Sequence, residues 1–161
     1  MSKLDQIDKI IKCKKTLLGV GPMSQNVIDS AIELSDEYKI QLILIASRRQ
    51  IDSNYHGGGY VNNWSTEKFS EYVKKKSKKK FIMMARDHGG PWQNTNEIKD
   101  NLNLDKAIES AKKSFSCDIK NDFSFIHIDT SIDIFKKKLK VDESLKRIFE
   151  FYEFCYKISK E

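Results

Sequence analysis

The chain has 161 residues, of which 39% are hydrophobic and 32% charged, with a net charge of +6. That length suits one domain with a real core. No apolar run approaches the roughly 18 residues a membrane-crossing helix needs, which excludes an integral membrane helix.

Met1-Ser2-Lys3-Leu4-Asp5 is polar and mixed in charge, unlike a secretory signal. Cys13, Cys117 and Cys155 are odd in number and form no CxxC pair, so no disulfide framework is implied. Reduced thiols in a cytoplasmic protein are the natural expectation.

The positive excess sits in Lys74-Lys75-Lys76-Ser77-Lys78-Lys79-Lys80 and in Lys136-Lys137-Lys138. Such runs attract nucleic acid electrostatically. The first has no interleaved aromatics to stack bases, and Lys near a helix C-terminus suits the helix dipole. A solvated helix end is expected, with neither nucleic acid nor a membrane as partner.

In chain order, residues 16–20 read as a first strand, and Gly21-Pro22-Met23-Ser24 turns the chain. Ser24 suits an N-cap, and Val27, Ile28, Ala31, Ile32 and Leu34 follow helical spacing to about Tyr38. Residues 40–46 are almost continuously apolar, as in a parallel strand buried on both faces. A long loop, 47–63, carries Arg48, Arg49, Asp52, His56 and Gly57-Gly58-Gly59. The triple glycine can offer N–H groups to a phosphate or hinge a lid. His56 reads as a surface loop residue. Ser65 is the next expected cap, with Trp64 and Phe69 as a hydrophobic staple.

Residues 81–86 predict a third strand, followed by a loop through Gln93, Asn94 and Asn96. Leu104, Ala107, Ile108 and Ala111 mark a helix. Residues 123–129 predict a fourth strand whose alternation puts His127 and Asp129 on one face, with His127 packed below the site. The last helix is expected from a cap at Asp142 nearly to the end.

Four strand–helix units in sequence imply an α/β fold with a parallel sheet. An eight-stranded barrel typically needs about 250 residues, so 161 residues predict a partial, half TIM barrel or a small open sheet. The expectation is a single domain over 1–161. In such barrels, chemistry sits at the C-terminal strand ends. There the chain places Asp87-His88-Gly89-Gly90-Pro91-Trp92, an acid and an imidazole opening into a loop.

Gly21-Pro22-Met23-Ser24, Ser47-Arg48-Arg49-Gln50-Ile51-Asp52, Gly57-Gly58-Gly59-Tyr60-Val61-Asn62-Asn63-Trp64, Asp87-His88-Gly89-Gly90-Pro91-Trp92-Gln93 and His127-Ile128-Asp129-Thr130-Ser131 occur in that order. Together they resemble the non-catalytic subunit of class II D-tagatose-1,6-bisphosphate aldolase and, more broadly, class II aldolase barrels. The match covers the first half of such a barrel. The resemblance implies Asp87 in proton transfer and His88 on a catalytic Zn²⁺. The family's further zinc histidines and phosphate-binding glycines come from later strands, so the ligand set in this chain is incomplete.

The resemblance implies a sugar-phosphate ligand, with Ser24, Arg48, Arg49, Asn62, Gln93, Asp129 and Ser131 as candidate contacts. Guanidinium forks match phosphate oxygens, while the opposing expectation is that Arg48 or Arg49 pairs with Asp52 or Asp87. The implied function is a supporting or direct part in reversible, zinc-dependent aldol cleavage of a ketose bisphosphate. The alternative is a non-catalytic assembly subunit or barrel fragment without activity of its own. Expected protein partners are a second copy, a partner aldolase subunit or the missing half-barrel, because unpaired sheet edges recruit strands.

Overall fold

The apolar spacing and the serine caps are realised locally much as their chemistry dictates. The structure, a computed structural model, describes residues 3–14 and 16–160. Helix α1 (Lys3–Lys12) precedes strand β1 (Leu18–Val20), helix α2 (Gln25–Tyr38) and strand β2 (Leu42–Ser47). Helix α3 (Thr66–Lys76), strand β3 (Ile82–Gly89), helices α4 (Thr95–Lys99) and α5 (Leu104–Lys120), strand β4 (Phe123–Ile128) and helix α6 (Val141–Ile158) follow. The strands form one sheet, ordered β1-β2-β3-β4 and parallel throughout. This is an α/β fold consistent with part of a barrel. None of the described helices is long and apolar enough to cross a membrane.

Ser24 and Ser65 cap α2 and α3, each Oγ accepting a backbone N–H 3.3 Å away, from Val27 and Lys68. Lys74, Lys75 and Lys76 occupy the last turn of α3, where cations suit the dipole. Two of them pair with acids, Lys74 with Asp122 and Lys76 with Asp29.

One face of the sheet carries the core. Leu42, Leu44 and Ala46 of β2 join Ile82 and Met84 of β3 against Ile28 and Ile32 of α2 and Phe69 and Val73 of α3. A second cluster sets Ile108, Ala111 and Phe115 of α5 against Phe151 of α6, with Ile126 and Ile128 of β4 packed on it. Each fully buried Val, Leu, Ile, Met or Phe among them contributes about 1.5–3 kcal/mol. The alternate β2 residues Ile43, Ile45 and Ser47 are only half-buried. The strand expected to be buried on both faces is therefore fully buried on one.

The elements differ from the sequence reading in several places. Helix α1 was not expected, and α4 forms inside the presumed loop because Asn94 caps it, accepting from Asn96 N at 2.9 Å. Strand β3 runs on to Gly89, so Asp87 and His88 lie in the strand rather than in the loop after it. Helix α6 begins at Val141 with Lys140 at its cap. Asp142 therefore sits in the first turn, where a carboxylate complements the dipole.

Candidate functional site at the strand ends

The pairing of β3 with β4 slips between Arg86 and Gly89, which face Ile126 and Ile128. Two residues, Asp87 and His88, thus oppose His127 alone, as in a β-bulge, a device that re-aims side chains. His88 takes a left-handed φ of 43°. Strict alternation would put Asp87 and His88 on opposite faces; at the bulge both meet His127. Asp87 Oδ1 lies 3.3 Å from His127 Nδ1, and Asp87 Oδ2 lies 3.5 Å from His88 Nε2. The two imidazole centroids are 5.8 Å apart. Ligand atoms from all three residues lie within 4.8 Å of one another, a spacing that one divalent metal can bridge. His127 is exposed at the site rather than packed below it.

The two glycines after the bulge are sterically required. A Cβ at Gly89 would meet the Phe115 ring and come within 2.8 Å of the His127 carbonyl oxygen; one at Gly90 would strike the Asp129 carbonyl oxygen. Their absence lets the exits of β3 and β4 touch, and Asp129 N donates to Gly89 O at 2.6 Å. Asp129 Oδ2 then meets His88 Nδ1 and accepts from Gln93 Nε2, each at 2.8 Å. The hydrogen bond to Asp129, assisted by the charge of Asp87 and opposed by partial burial, raises the His88 pKa above its usual value. Burial pushes the Asp129 carboxyl up, but its bonds to His88 and Ser131 outweigh that and hold it below the carboxylate range.

Ser47, Arg49, His88, Gln93, Asp129 and Ser131 line a cleft of about 390 Å³ at this rim. Four of the seven candidate ligand contacts, Arg49, Gln93, Asp129 and Ser131, thus meet His88 in one place. Three do not line it. Ser24 is occupied in capping α2, and Asn62 donates to Gln25 Oε1 at 3.3 Å. Arg48 is fully buried, which corrects its expected place on a ligand. Its guanidinium binds Asp52 (3.0 Å), Glu97 (2.7 Å) and the Gly90 carbonyl (2.8 Å). It braces the rim loop from beneath, and the pairing with Asp52 is the alternative the sequence left open.

Asp52 is the centre of this bracing. It also accepts from Asn94 Nδ2 (2.8 Å), Ser114 Oγ (2.7 Å) and Ser53 N (2.8 Å). Burial opposes its charge, but Arg48 and His56 prevail and its pKa falls. His56 is not a surface residue: it is enclosed between Ser53 Oγ (2.7 Å) and Ser110 Oγ (2.8 Å). Ser110 donates to Glu97 Oε1 at 2.5 Å, so its proton points away from the imidazole and the group is no nucleophilic triad. The triple glycine is no phosphate cradle either: Gly57, Gly58 and Gly59 N–H groups bond Asn54, Ser53 and Trp64 carbonyls.

No protein-family model matches the chain, and no curated protein matches it significantly. A solved structure of a probable tagatose 6 phosphate kinase from Sinorhizobium meliloti 1021 is similar, with a TM-score of 0.71 at 19% identity. The likeness is one of fold. It covers 89% of this chain and 37% of that protein, so this chain spans well under half of its neighbour's length.

Sequence reasoning missed His127 as a site residue. The signal was present: two neighbouring parallel strands each carry a histidine near the C-terminal end. What hid it was the bulge, which cannot be counted from either strand alone.

Proposed function

We propose that this chain is the N-terminal half of a class II aldolase-type barrel, one domain that binds a phosphorylated ketose at the strand-end cleft. There it contributes to, or supports, metal-dependent reversible aldol cleavage. The observation that carries this reading is the convergence of Asp87, His88 and His127 beside a cleft lined by Arg49, Gln93, Asp129 and Ser131. The resemblance of the rim motifs to the class II aldolase family supports it, as does the tagatose phosphate in the name of a protein with the same fold.

Two imidazoles and a carboxylate make a three-ligand set with room for a fourth, the donor chemistry of catalytic zinc. Zn²⁺, when bound, would supply a Lewis acid for negative charge on a substrate oxygen. Asp129, accepting from His88 Nδ1, fixes the tautomer that leaves Nε2 as a ligand. Asp87, between the two imidazoles, is placed to hold the ion or to take a hydroxyl proton from the sugar. Gln93 and Ser131 offer polar groups to hydroxyls, and Arg49 offers a fork to an anionic oxygen.

A second reading rests on the open sheet. The outer edges of β1 and β4 have no strand partner among the described residues, and such edges recruit strands. On that reading the chain is an assembly module that works only with a second copy, a partner aldolase subunit or the remaining half-barrel.

Zinc titration by calorimetry separates the two. About one Zn²⁺ per chain, lost in both His88→Ala and His127→Ala with unchanged circular dichroism, supports the metal-dependent reading. No binding by the wild-type chain, alone or in a complex, leaves the assembly reading.

A further inference from the structure

Ser131 and Ile132 form a wall shared by two clefts. On one side is the rim cleft with His88 and Arg49; on the other is a cleft of about 650 Å³ lined by Lys136, Lys137, Lys138 and Ser144. The acid in this second cleft is already committed, because Asp133 accepts from Arg147 Nη2 at 2.7 Å. Lys136 is also committed, to Glu143 at 2.7 Å. Lys137 and Lys138 have no ion pair among the described residues, although both line the cleft. Adjacent uncompensated ammonium groups repel each other, and an anion lying between them removes that cost.

We propose that the phosphoryl group of a sugar phosphate whose sugar end lies at His88 seats in this second cleft on Lys137 and Lys138. Ser131 stands at the crossing between the two. The inference rests on the sugar-phosphate reading and adds where the phosphate sits and which residues give preference for it. A phosphomonoester carries between one and two negative charges near neutrality, and lysines serve such groups as mobile point charges. Acidic Asp142 and Glu143 lie in the neighbouring first turn of α6. Neither lines the cleft, and Glu143 is taken up by Lys136.

The test titrates the 161-residue chain with D-tagatose 6-phosphate, D-tagatose and inorganic phosphate, following backbone amide shifts and affinity. The expected result is tighter binding of the phosphorylated sugar, with shifts at residues 131–138 as well as at His88. In Lys137→Gln/Lys138→Gln that advantage falls by about ten- to a hundredfold, the scale of charge-assisted bonds, while the affinity for D-tagatose is unchanged. Lys137→Glu, a charge reversal at an exposed position, gives a second measure should the double variant fold poorly. A double variant that keeps the full phosphate advantage overturns the inference and leaves the sugar-phosphate reading standing. A wild-type chain that binds neither sugar, or both equally, overturns the two together.

Discussion

Asp129, just past the end of β4, and His88, inside the bulge of β3, meet at 2.8 Å although 41 residues separate them. The carboxylate gives the imidazole both an orientation and a higher proton affinity. Asp129→Asn keeps the shape and removes the charge. The His88 pKa should drop toward its ordinary value, as read by NMR titration of the imidazole. On the metal-dependent reading, zinc affinity should weaken by about 10- to 100-fold, the usual effect of removing a histidine ligand's hydrogen-bond partner. An unmoved titration curve would show that Asp129 does not act on His88.

The same pair makes stability depend on pH. His88 has a folded pKa raised above the ordinary imidazole value of about 6.5. Its protonated form therefore stabilises the fold fully below about pH 6.5, and that contribution is lost as pH rises through the raised value. Wild type should exceed His88→Ala in urea midpoint at pH 6 and converge with it at pH 9. Asp129, with a lowered pKa, bounds the effect on the acid side, where its protonation removes the pair. A gap that widens toward pH 9 would contradict this assignment.

Gly90→Ala should be costly, because the added methyl would overlap the Asp129 carbonyl oxygen. Overpacking of this kind costs about 1–3 kcal/mol, and relief would push the β3 and β4 exits apart. The expected outcome is a lower urea midpoint together with weaker zinc binding. Gly57→Ala is a useful contrast. Nothing lies near its Cβ, although its φ of 80° still strains an alanine, so it should lose stability without disturbing Asp87, His88 and His127.

Arg86 lies inside the protein, making two hydrogen bonds to Asp118 at 2.6 and 2.7 Å and two more to the Ala46 and Ile51 carbonyls. Burial works against its charge, but the Asp118 carboxylate holds the proton on it. Asp118→Asn should cost about 3–5 kcal/mol, since it leaves a buried charge unpaired. Arg86→Met/Asp118→Leu should recover much of that loss in chemical denaturation. A double variant less stable than the single would mean that the bonds to the Ala46 and Ile51 carbonyls are the larger part of Arg86's role.

Phe115 ties the site to the helical layer. It packs edge-on against Phe151 at 5.3 Å, and its ring fills the space a Cβ on Gly89 would need. Phe115→Ala should destabilise by about 3–5 kcal/mol and loosen the bulge it backs. Faster amide exchange at residues 87–90, beyond that of a distant core variant such as Val73→Ala, is the expected signature.

Much of this protein was determined by the sequence itself. Ser24 and Ser65 end up as caps because a hydroxyl before a helical run has free N–H groups to accept. The apolar runs become neighbouring parallel strands because only burial beside one another covers them. The convergence of strand ends then brings Arg49, Gln93, Asp129 and Ser131 to one cleft. Tertiary structure alone decided the rest. Arg48 and Arg49 are adjacent and chemically identical, yet one is buried on Asp52 and the other faces the cleft. His56 and His127 exchanged their expected surroundings, one enclosed by Ser110 from α5 and the other exposed beside Asp87. Asp52 is only four residues from Arg48, but the other deciding partners, Glu97 and Gly90 for Arg48 and Ser110 for His56, lie tens of residues away, and His127 is placed by a one-residue slip between two strands. Local pattern sets the element and its face, whereas pairing register and long-range charge pairs set which polar group remains free.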